Sequence, residues 1–235
     1  MIPCLNEARS IGALVSQVIT QLPSVIVVDD GSTDGTGDRA ALAGAFVLRH
    51  PSPLGKGRAL AAGWEESRRQ GFVWALSLDG DGQHSPSDIP AFFQAAESHR
   101  SHLVIGDRMG NASRMPWIRR TANRWMSRRL SWLAGQTFPD SQCGFRLVHL
   151  PTLAQIPITA SHFEIESDLL IQFARAGEPI AFTPIQVIYA DERSKIHPLH
   201  DTLRWWQWWR TARSKRNVTG ERTPRLKSAP LTRST

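Results

Sequence analysis

At 235 residues and 41% hydrophobic content, the chain can bury a sizeable core as one large domain or two small ones. No stretch reaches the apolar length of a bilayer span and no secretory h-region is recognisable; two cysteines, Cys4 and Cys143, are too few for a disulfide framework and fit a reducing compartment. The net charge of +7 sits at one end: from Arg204 onward there are nine Lys/Arg and one acid, and residues 1–203 are nearly neutral. Nucleic acid, an anionic membrane face and a disordered tail would each account for that asymmetry.

In chain order, Ile2-Pro3-Cys4-Leu5-Asn6-Glu7 reads as a strand running into a turn, with Asn6 the expected cap of the helix that follows. That helix has apolar residues at Ile11, Leu14, Val15, Val18, Ile19 and Leu22. Ser24–Val28 is a buried strand ending in Asp29-Asp30-Gly31-Ser32-Thr33-Asp34-Gly35-Thr36. A second helix, a strand near Ala45–Arg49, a Gly55-Lys56-Gly57 turn and a helix through Arg58–Gln70 come next. The apolar run Val73–Leu78 then breaks off at Asp79-Gly80-Asp81-Gly82-Gln83-His84.

Strands alternating with helices predict an α/β protein with a largely parallel sheet, in which ligands bind off the carboxyl ends of the strands. Asn6-Glu7, Asp29-Asp30 and Asp79/Asp81 all fall at such ends, so the acids converge on one edge. In extended backbone, residues i and i+2 face the same side, which lets Asp79 and Asp81 share a cation. A polar Asp-Gly turn is the plain alternative. Lys56, between glycines, suits a phosphate or a solvated turn. EF-hand loops are excluded because Ala41 and Pro90 stand where each would need its bidentate Glu. No G-x-G-x-x-G follows the first strand, and the histidines show no zinc spacing.

Ser85-Pro86-Ser87-Asp88 opens another helix, and Leu103–Gly106 is a strand ending at Asp107-Arg108. In Met115–Ala134, Trp117, Trp125 and Trp132 interleave with Arg119, Arg120, Arg124, Arg128 and Arg129; Trp117, Thr121, Trp125, Arg128 and Trp132 share a helical face. Such a face suits a lipid headgroup layer, a protein core or stacked nucleic-acid bases. Glu164 and Glu166 begin a helix running to Gly177, where capping or structural pairing is their expected role; an amphipathic strand over Glu178–Tyr189 follows. Leu203–Arg210 holds four tryptophans in five residues, too short and charged to span a bilayer but suited to its interface. The expected layout is an α/β body over 1–200, a Trp/Arg-rich interfacial segment over 201–216 and a disordered basic tail over 217–235.

The segments Ile2–Glu7, Val28–Thr36, Gly55-Lys56-Gly57 and Asp79–His84 resemble the successive motifs of family 2 glycosyltransferases with the GT-A fold. Asp140-Ser141-Gln142-Cys143-Gly144-Phe145-Arg146 and Phe163-Glu164-Ile165-Glu166 are similar to the branch that includes dolichyl- and polyprenyl-phosphate sugar synthases. The resemblance implies a mixed, mostly parallel sheet flanked by helices, with amphipathic helices at a membrane interface. It implies a nucleotide-diphosphate sugar donor held by Pro3, Leu5, Glu7, Asp30, Lys56 and Asp79, and Mg2+ or Mn2+ on Asp81 and Gln83. Inverting transfer would go to a polyprenyl-phosphate or other lipid-linked acceptor, whose phosphate would meet Arg108, Arg119, Arg193 and Lys195. Asp140 and Arg108 are the catalytic candidates, Asp140 as general base if the acceptor is instead a hydroxyl of a glycan or lipid.

Many relatives carry transmembrane helices after the catalytic body. Here the expectation is a cytoplasmic protein held peripherally on the inner face of an anionic membrane. Relatives also have several strand residues before the first motif, whereas only Met1 and Ile2 precede Pro3, so the expectation is either a true start upstream or a domain destabilised by a shortened first strand. A basic nucleic-acid-binding α/β protein is the disfavoured reading of another class, and a catalytically dead membrane scaffold the third.

Overall fold

The computed structural model describes residues 1–110, 115–158, 160, 162, 164–188 and 205–214. The first three strands are β1 (Ile2–Cys4), β2 (Ile26–Asp29) and β3 (Phe46–Arg49), paired in parallel with Ile2 opposite Val27 and Ile26 opposite Phe46. Every residue of β2 is buried, as a central strand covered on both faces requires. Four further strands, β4 (Trp74–Ser77), β5 (Leu103–Asp107), β6 (Arg146–His149) and β7 (Ile180–Pro184), pair in the order β4-β6-β5-β7. The Met1 amino group donates to the Leu76 carbonyl (2.6 Å) and the Leu78 N–H to the Met1 carbonyl (3.3 Å), so the two sheets meet edge to edge beside β1 and β4.

The strand and helix alternation holds through β5. Strand β6, which the sequence pattern did not reveal, runs antiparallel to both neighbours, and β7 returns parallel to β5. The result is a mixed sheet with its carboxyl edge built from the turns after β1, β2, β4 and β5.

The helices are α1 (Ile11–Ile19), α2 (Thr36–Leu42), α3 (Lys56–Arg69), α4 (Ile89–His99), α5 (Trp117–Ala134), α6 (Leu150–Leu153), α7 (Ile165–Arg175) and α8 (residues 205–214). Helix α1 buries Ile11, Leu14, Val15 and Val18 of the predicted stripe but leaves Ile19 40% exposed, and it ends before Leu22. Its N-cap is Ser10, which corrects the expectation for Asn6. Asn6 instead adopts a left-handed φ of 53°, and its side-chain oxygen accepts the Thr33 N–H (2.9 Å). Asn tolerates that conformation better than most residues, which explains its place in the turn.

The tryptophans divide between two environments. Helix α5 buries Asn123, Ser127, Leu130 and Leu133 and leaves Trp117 70% exposed, with Trp125 and Trp132 also outside. Helix α8 does the reverse, placing Trp205, Trp209 and Ala212 in the core and Trp206 in solvent. Guanidinium groups lie between the two helices: Arg129 is 5.0 Å from the Trp125 ring and 5.5 Å from Trp209, and Arg213 is 5.4 Å from Trp209 and 5.7 Å from Trp132. Each such contact contributes roughly 0.5–1 kcal/mol at exposed positions. The Arg175 guanidinium also donates to the Ala212 carbonyl (2.6 Å), tying α8 to the end of α7. Among the described residues no helix is long and apolar enough to cross a membrane.

Gly31 has φ of 79°, and a Cβ there would lie 2.7 Å from the Ser52 carbonyl carbon. Gly31→Ala therefore combines left-handed strain with a backbone clash. A cost of about 2 kcal/mol should lower the melting temperature by roughly 4–8 °C in a calorimetric scan.

Candidate active site

The turns at the carboxyl ends of β1, β2 and β4 are stapled to one another by side chains. The Asn6 N–H donates to Ser32 Oγ (2.9 Å), the Glu7 N–H to Thr36 Oγ1 (2.8 Å) and the Ala8 N–H to Asp34 Oδ2 (3.1 Å). Ser10 Oγ donates across to the Gly80 carbonyl (2.7 Å). Glycine is required at position 80, because a Cβ would lie 2.5 Å from Cys4 Sγ. Pro3, Leu5 and Glu7 are thereby held half-buried on the first turn.

Asp30 is buried and fastens the segment leading into α3. Its Oδ1 meets His50 Nδ1 (2.6 Å) and accepts the Leu54 N–H (3.0 Å), while Oδ2 accepts the Gly55 N–H (2.8 Å). The next residue, Lys56, reaches into the centre of the edge. Its Nζ is 2.7 Å from Asp79 Oδ1 and 2.6 Å from Glu166 Oε1. Burial alone would lower the Lys56 pKa, but the two carboxylates hold it well above the usual lysine value.

The two acids of the Asp79-Gly80-Asp81 turn are driven apart. Burial opposes ionisation of Asp79, yet Lys56 and then His84 hold its pKa far below the usual carboxylate range. Asp81 is pushed above that range, first by burial and then by the negative charge of Asp79. Its Oδ1 accepts the Gln83 N–H (3.0 Å), and it has no cation within ion-pair distance among the described residues. Asp79 also lies directly over Gly144, where a Cβ would be 2.5 Å from its carboxylate. His84 is buried with its ring against Phe145 and its Nε2 3.6 Å from Asp79.

No group of three or more His, Cys, Asp or Glu forms a ready-made metal cage among the described residues. The donor set nevertheless fits a hard cation. Asp81 is an ionisable oxygen ligand whose negative charge is disfavoured as it stands, and the Gln83 amide oxygen is one position beyond the turn glycine.

On the adjoining side, Asp140 is fully buried and takes five hydrogen bonds. Arg108 supplies three of them, from Nε (2.7 Å), Nη2 (2.9 Å) and its backbone N–H (3.2 Å). Asn123 Nδ2 (2.8 Å), from the buried face of α5, and the Gln142 N–H (3.1 Å) supply the rest. Burial pushes the Asp140 carboxyl up, but Arg108 and these donors bring it below its ordinary value. Burial also pushes the neighbouring Cys143 thiol up to about 12, so it stays protonated.

Arg146 is 2% exposed and bonds three carbonyls: Cys143 through Nε (2.7 Å), Glu166 through Nη1 (2.6 Å) and Ser141 through Nη2 (2.8 Å). It joins the 140–143 turn to the start of α7.

Pro3, Leu5, Glu7, Asp30, Lys56, Asp79, Asp81 and Gln83 thus gather on one edge, with the Arg108–Asp140 pair beside them across the 140–146 segment. Arg119 is exposed on the first turn of α5. Arg193 and Lys195 lie outside the described residues. Structural pairing is the expected role of Glu166, without Lys56 named as its partner, and sequence reasoning missed the scaffold role of Arg146. The Lys56–Glu166 contact joins positions 110 apart, which no local spacing reports. A buried arginine inside an apolar strand was the one available signal for Arg146.

Residues 1–150 match the model of glycosyl transferase family 2, so the chain belongs to that family. It is 31% identical to glycosyltransferase AglJ of Haloferax volcanii over 77% of this chain and 60% of that protein. It is also 31% identical to the polyprenol monophosphomannose synthase of Mycolicibacterium smegmatis, over 68% and 64% of the two chains. The chain thus spans less than two thirds of the length of either. The structure superposes with a TM-score of 0.67 on glucosyl-3-phosphoglycerate synthase from Mycobacterium tuberculosis, solved with Mn2+, UDP and phosphoglyceric acid, at 23% identity over 92% of this chain and 76% of that one. That likeness shows the GT-A fold.

Replacing Arg108 by leucine strands a buried carboxylate and should cost roughly 3–5 kcal/mol in urea unfolding. The pH dependence should change sign. In the native chain the depressed Asp140 and Asp79 pKa values contribute stability above about pH 4, which is lost on acidification below it. In Arg108→Leu, Asp140 loses the charge that offsets burial, so stability should rise as the pH falls from 7 toward 5. A parallel loss in both proteins would count against this account.

Proposed function

We propose that the protein is a metal-dependent, inverting glycosyltransferase that moves a sugar from a nucleotide-diphosphate donor to the phosphate of a polyprenyl-phosphate-like lipid. The observation that carries the choice of acceptor is the state of Asp140. Five donors meet a carboxylate with about four lone-pair sites, in full burial and with a lowered pKa. A group so occupied is a poor base for a hydroxyl acceptor. A phosphate acceptor needs no base, because its nucleophilic oxygen is already ionised.

In this reading Asp140 positions Arg108, with the guanidinium fixed through Nε and Nη2 and Nη1 outside that fork. Arg108 offsets the repulsion between the acceptor phosphate and the anionic donor, a task suited to a planar, pre-oriented cation. Arg119, Arg193 and Lys195 are further phosphate contacts on this side.

Pro3, Leu5, Glu7 and Asp30 line the nucleotide pocket, Asp79 stands against its nucleotide side and Lys56 meets a phosphate of the donor. Asp81 and Gln83 would hold Mg2+ or Mn2+, whose chemistry is to offset charge developing on the departing diphosphate. Opposed electrostatics support this division: Asp79 is already neutralised by Lys56, whereas Asp81 gains from an added cation.

Peripheral attachment to the inner face of an anionic membrane completes the proposal. Helices α5 and α8 carry seven arginines and no acid, and Trp117, Ile118, Trp132 and Trp206 project from them. Tryptophan and arginine together favour the bilayer interface. Vesicles with 30% anionic lipid should carry the protein upward in a flotation gradient at low salt, and Trp117→Ala/Trp132→Ala should weaken that several-fold. Equal flotation with neutral vesicles would rule out the electrostatic part.

The donor site is tested by thermal shift across nucleoside diphosphates with and without Mn2+. A cognate pair present at 100 times its Kd stabilises by about 2.7 kcal/mol. Asp81→Asn should abolish the Mn2+-dependent part. Because a raised pKa means that the folded state disfavours the ionised carboxyl, the same variant without metal should be as stable as the native chain, or more so, at pH 7. An unaltered Mn2+ effect in Asp81→Asn would place the metal on other residues.

A further inference from the structure

Helix α8 lies beyond the residues matched to the family, yet its first residue is wired into the acceptor side of the site. The Trp205 indole is 4% exposed and donates from Nε1 to Ser167 Oγ (3.0 Å), which is itself fully buried in the first turn of α7. The same oxygen accepts from Gln142 Nε2 (3.2 Å). Gln142 also donates to Ser141 Oγ (2.9 Å), and its backbone N–H to Asp140 Oδ1 (3.1 Å). Ser141 is held in turn by Ser127 of α5, through Oγ–Oγ (3.0 Å) and through the Ser141 N–H to Ser127 Oγ (3.0 Å). Asp140 is the oxygen fork on which Arg108 rests.

We propose that Trp205 is a positioning residue for sugar transfer: through Ser167 and Gln142 it holds the 140–142 turn, and with it the guanidinium of Arg108. It touches no reacting atom. Its effect is on where Arg108 stands when the acceptor phosphate arrives, and this role rests on the acceptor reading given above.

Two features make the link more than ordinary helix packing. The indole N–H is directed at a buried oxygen shared with the catalytic-side turn, and in the low-dielectric interior such a linked set strengthens each member. Removing one donor there leaves Ser167 Oγ with Gln142 alone and lets that side chain shift. Displacements of about 1 Å at a positioning group can cost up to about 100-fold in rate. The rest of the α8 attachment is independent of this bond, being made by Trp209, Ala212, the Arg129 and Arg213 contacts and Arg175. Loss of the N–H alone therefore leaves the helix docked.

The test is Trp205→Phe, which keeps an aromatic ring against Trp125 but removes the donor. Hydrogen exchange at the Arg108 side-chain Nε–H, followed by 15N NMR, should accelerate about tenfold, while the Mn2+-dependent shift with nucleoside diphosphate stays at the native value. With polyprenyl phosphate as acceptor, kcat should fall roughly fivefold to twentyfold with the donor KM unchanged. Ser167→Ala should give the same loss, and the double variant no more than either single. Unchanged Arg108 exchange with unchanged kcat would overturn the proposal, as would a fall in melting temperature together with a raised donor KM. If the native enzyme transfers nothing to polyprenyl phosphate, the acceptor reading fails, and the Arg108 exchange rate alone still decides the role of Trp205.

Discussion

A carboxylate at Asp140, buried to the last oxygen, sets the terms for the part of the molecule where β5, α5 and the 140–142 turn meet. Isolated in an apolar interior, such a charge would cost several kcal/mol, so the surrounding chain has to supply donors. It does so from three directions: the end of β5 through Arg108, the inner face of α5 through Asn123, and the following turn through Gln142. Those contacts explain why an arginine-rich helix has a polar buried stripe. Asn123 and Ser127 face inward because the Asp140–Ser141 turn needs partners, and apolar residues there would leave it unsatisfied.

The edge formed by the turns after β1, β2 and β4 is organised by a different device, a lysine shared between two acids. Lys56 lies between Asp79 and Glu166, so the end of β4 and the start of α7 are fixed through one ammonium group. The arrangement also separates the chemistry of two nearby aspartates. Asp79 has its countercharge in Lys56, whereas Asp81 is half-buried beside that ionised neighbour with no ion-pair partner of its own among the described residues. Environment alone thereby shifts two acids of one residue type in opposite directions. Arg146 joins the two regions: it bonds the carbonyls of Ser141 and Cys143 on one side and of Glu166 on the other.

Much of this acidic edge was legible in the sequence because each turn follows an apolar run whose end is visible, as at Val28-Asp29-Asp30 and Leu78-Asp79. Turn glycines with a left-handed φ, such as Gly31 and Gly82, could be read in the same way. What stayed hidden depends on distant pairing. Strand β6 contains Arg146 and His149 and is only four residues long, so its burial between β4 and β5 left no alternation to detect. Asn6 resembled a helix cap by type, but its turn is fixed by the Ser32-Thr33 segment from another loop. The tryptophans were ambiguous for a related reason: composition alone cannot assign a ring to the core or to an interface. The outcome differs within one chain, with Trp205 and Trp209 inside and Trp117 and Trp132 outside.

That division gives α5 two working faces. Inward, Asn123 and Ser127 hold the turn that carries Asp140, and outward, Trp117 and Trp132 stand among arginines. Helix α8 repeats the arrangement with its own aromatic residues, burying Trp205 against Ser167 while Trp206 stays exposed. A rigid helix transmits a tilt from one face to the other, since neither face can move without its backbone. Whatever surface covers the outward tryptophans therefore acts on the same two helices that fix the 140–142 turn. In the proposed transfer to a lipid-borne phosphate, the surface delivering that phosphate would also bear on Arg108, the arginine proposed to meet it.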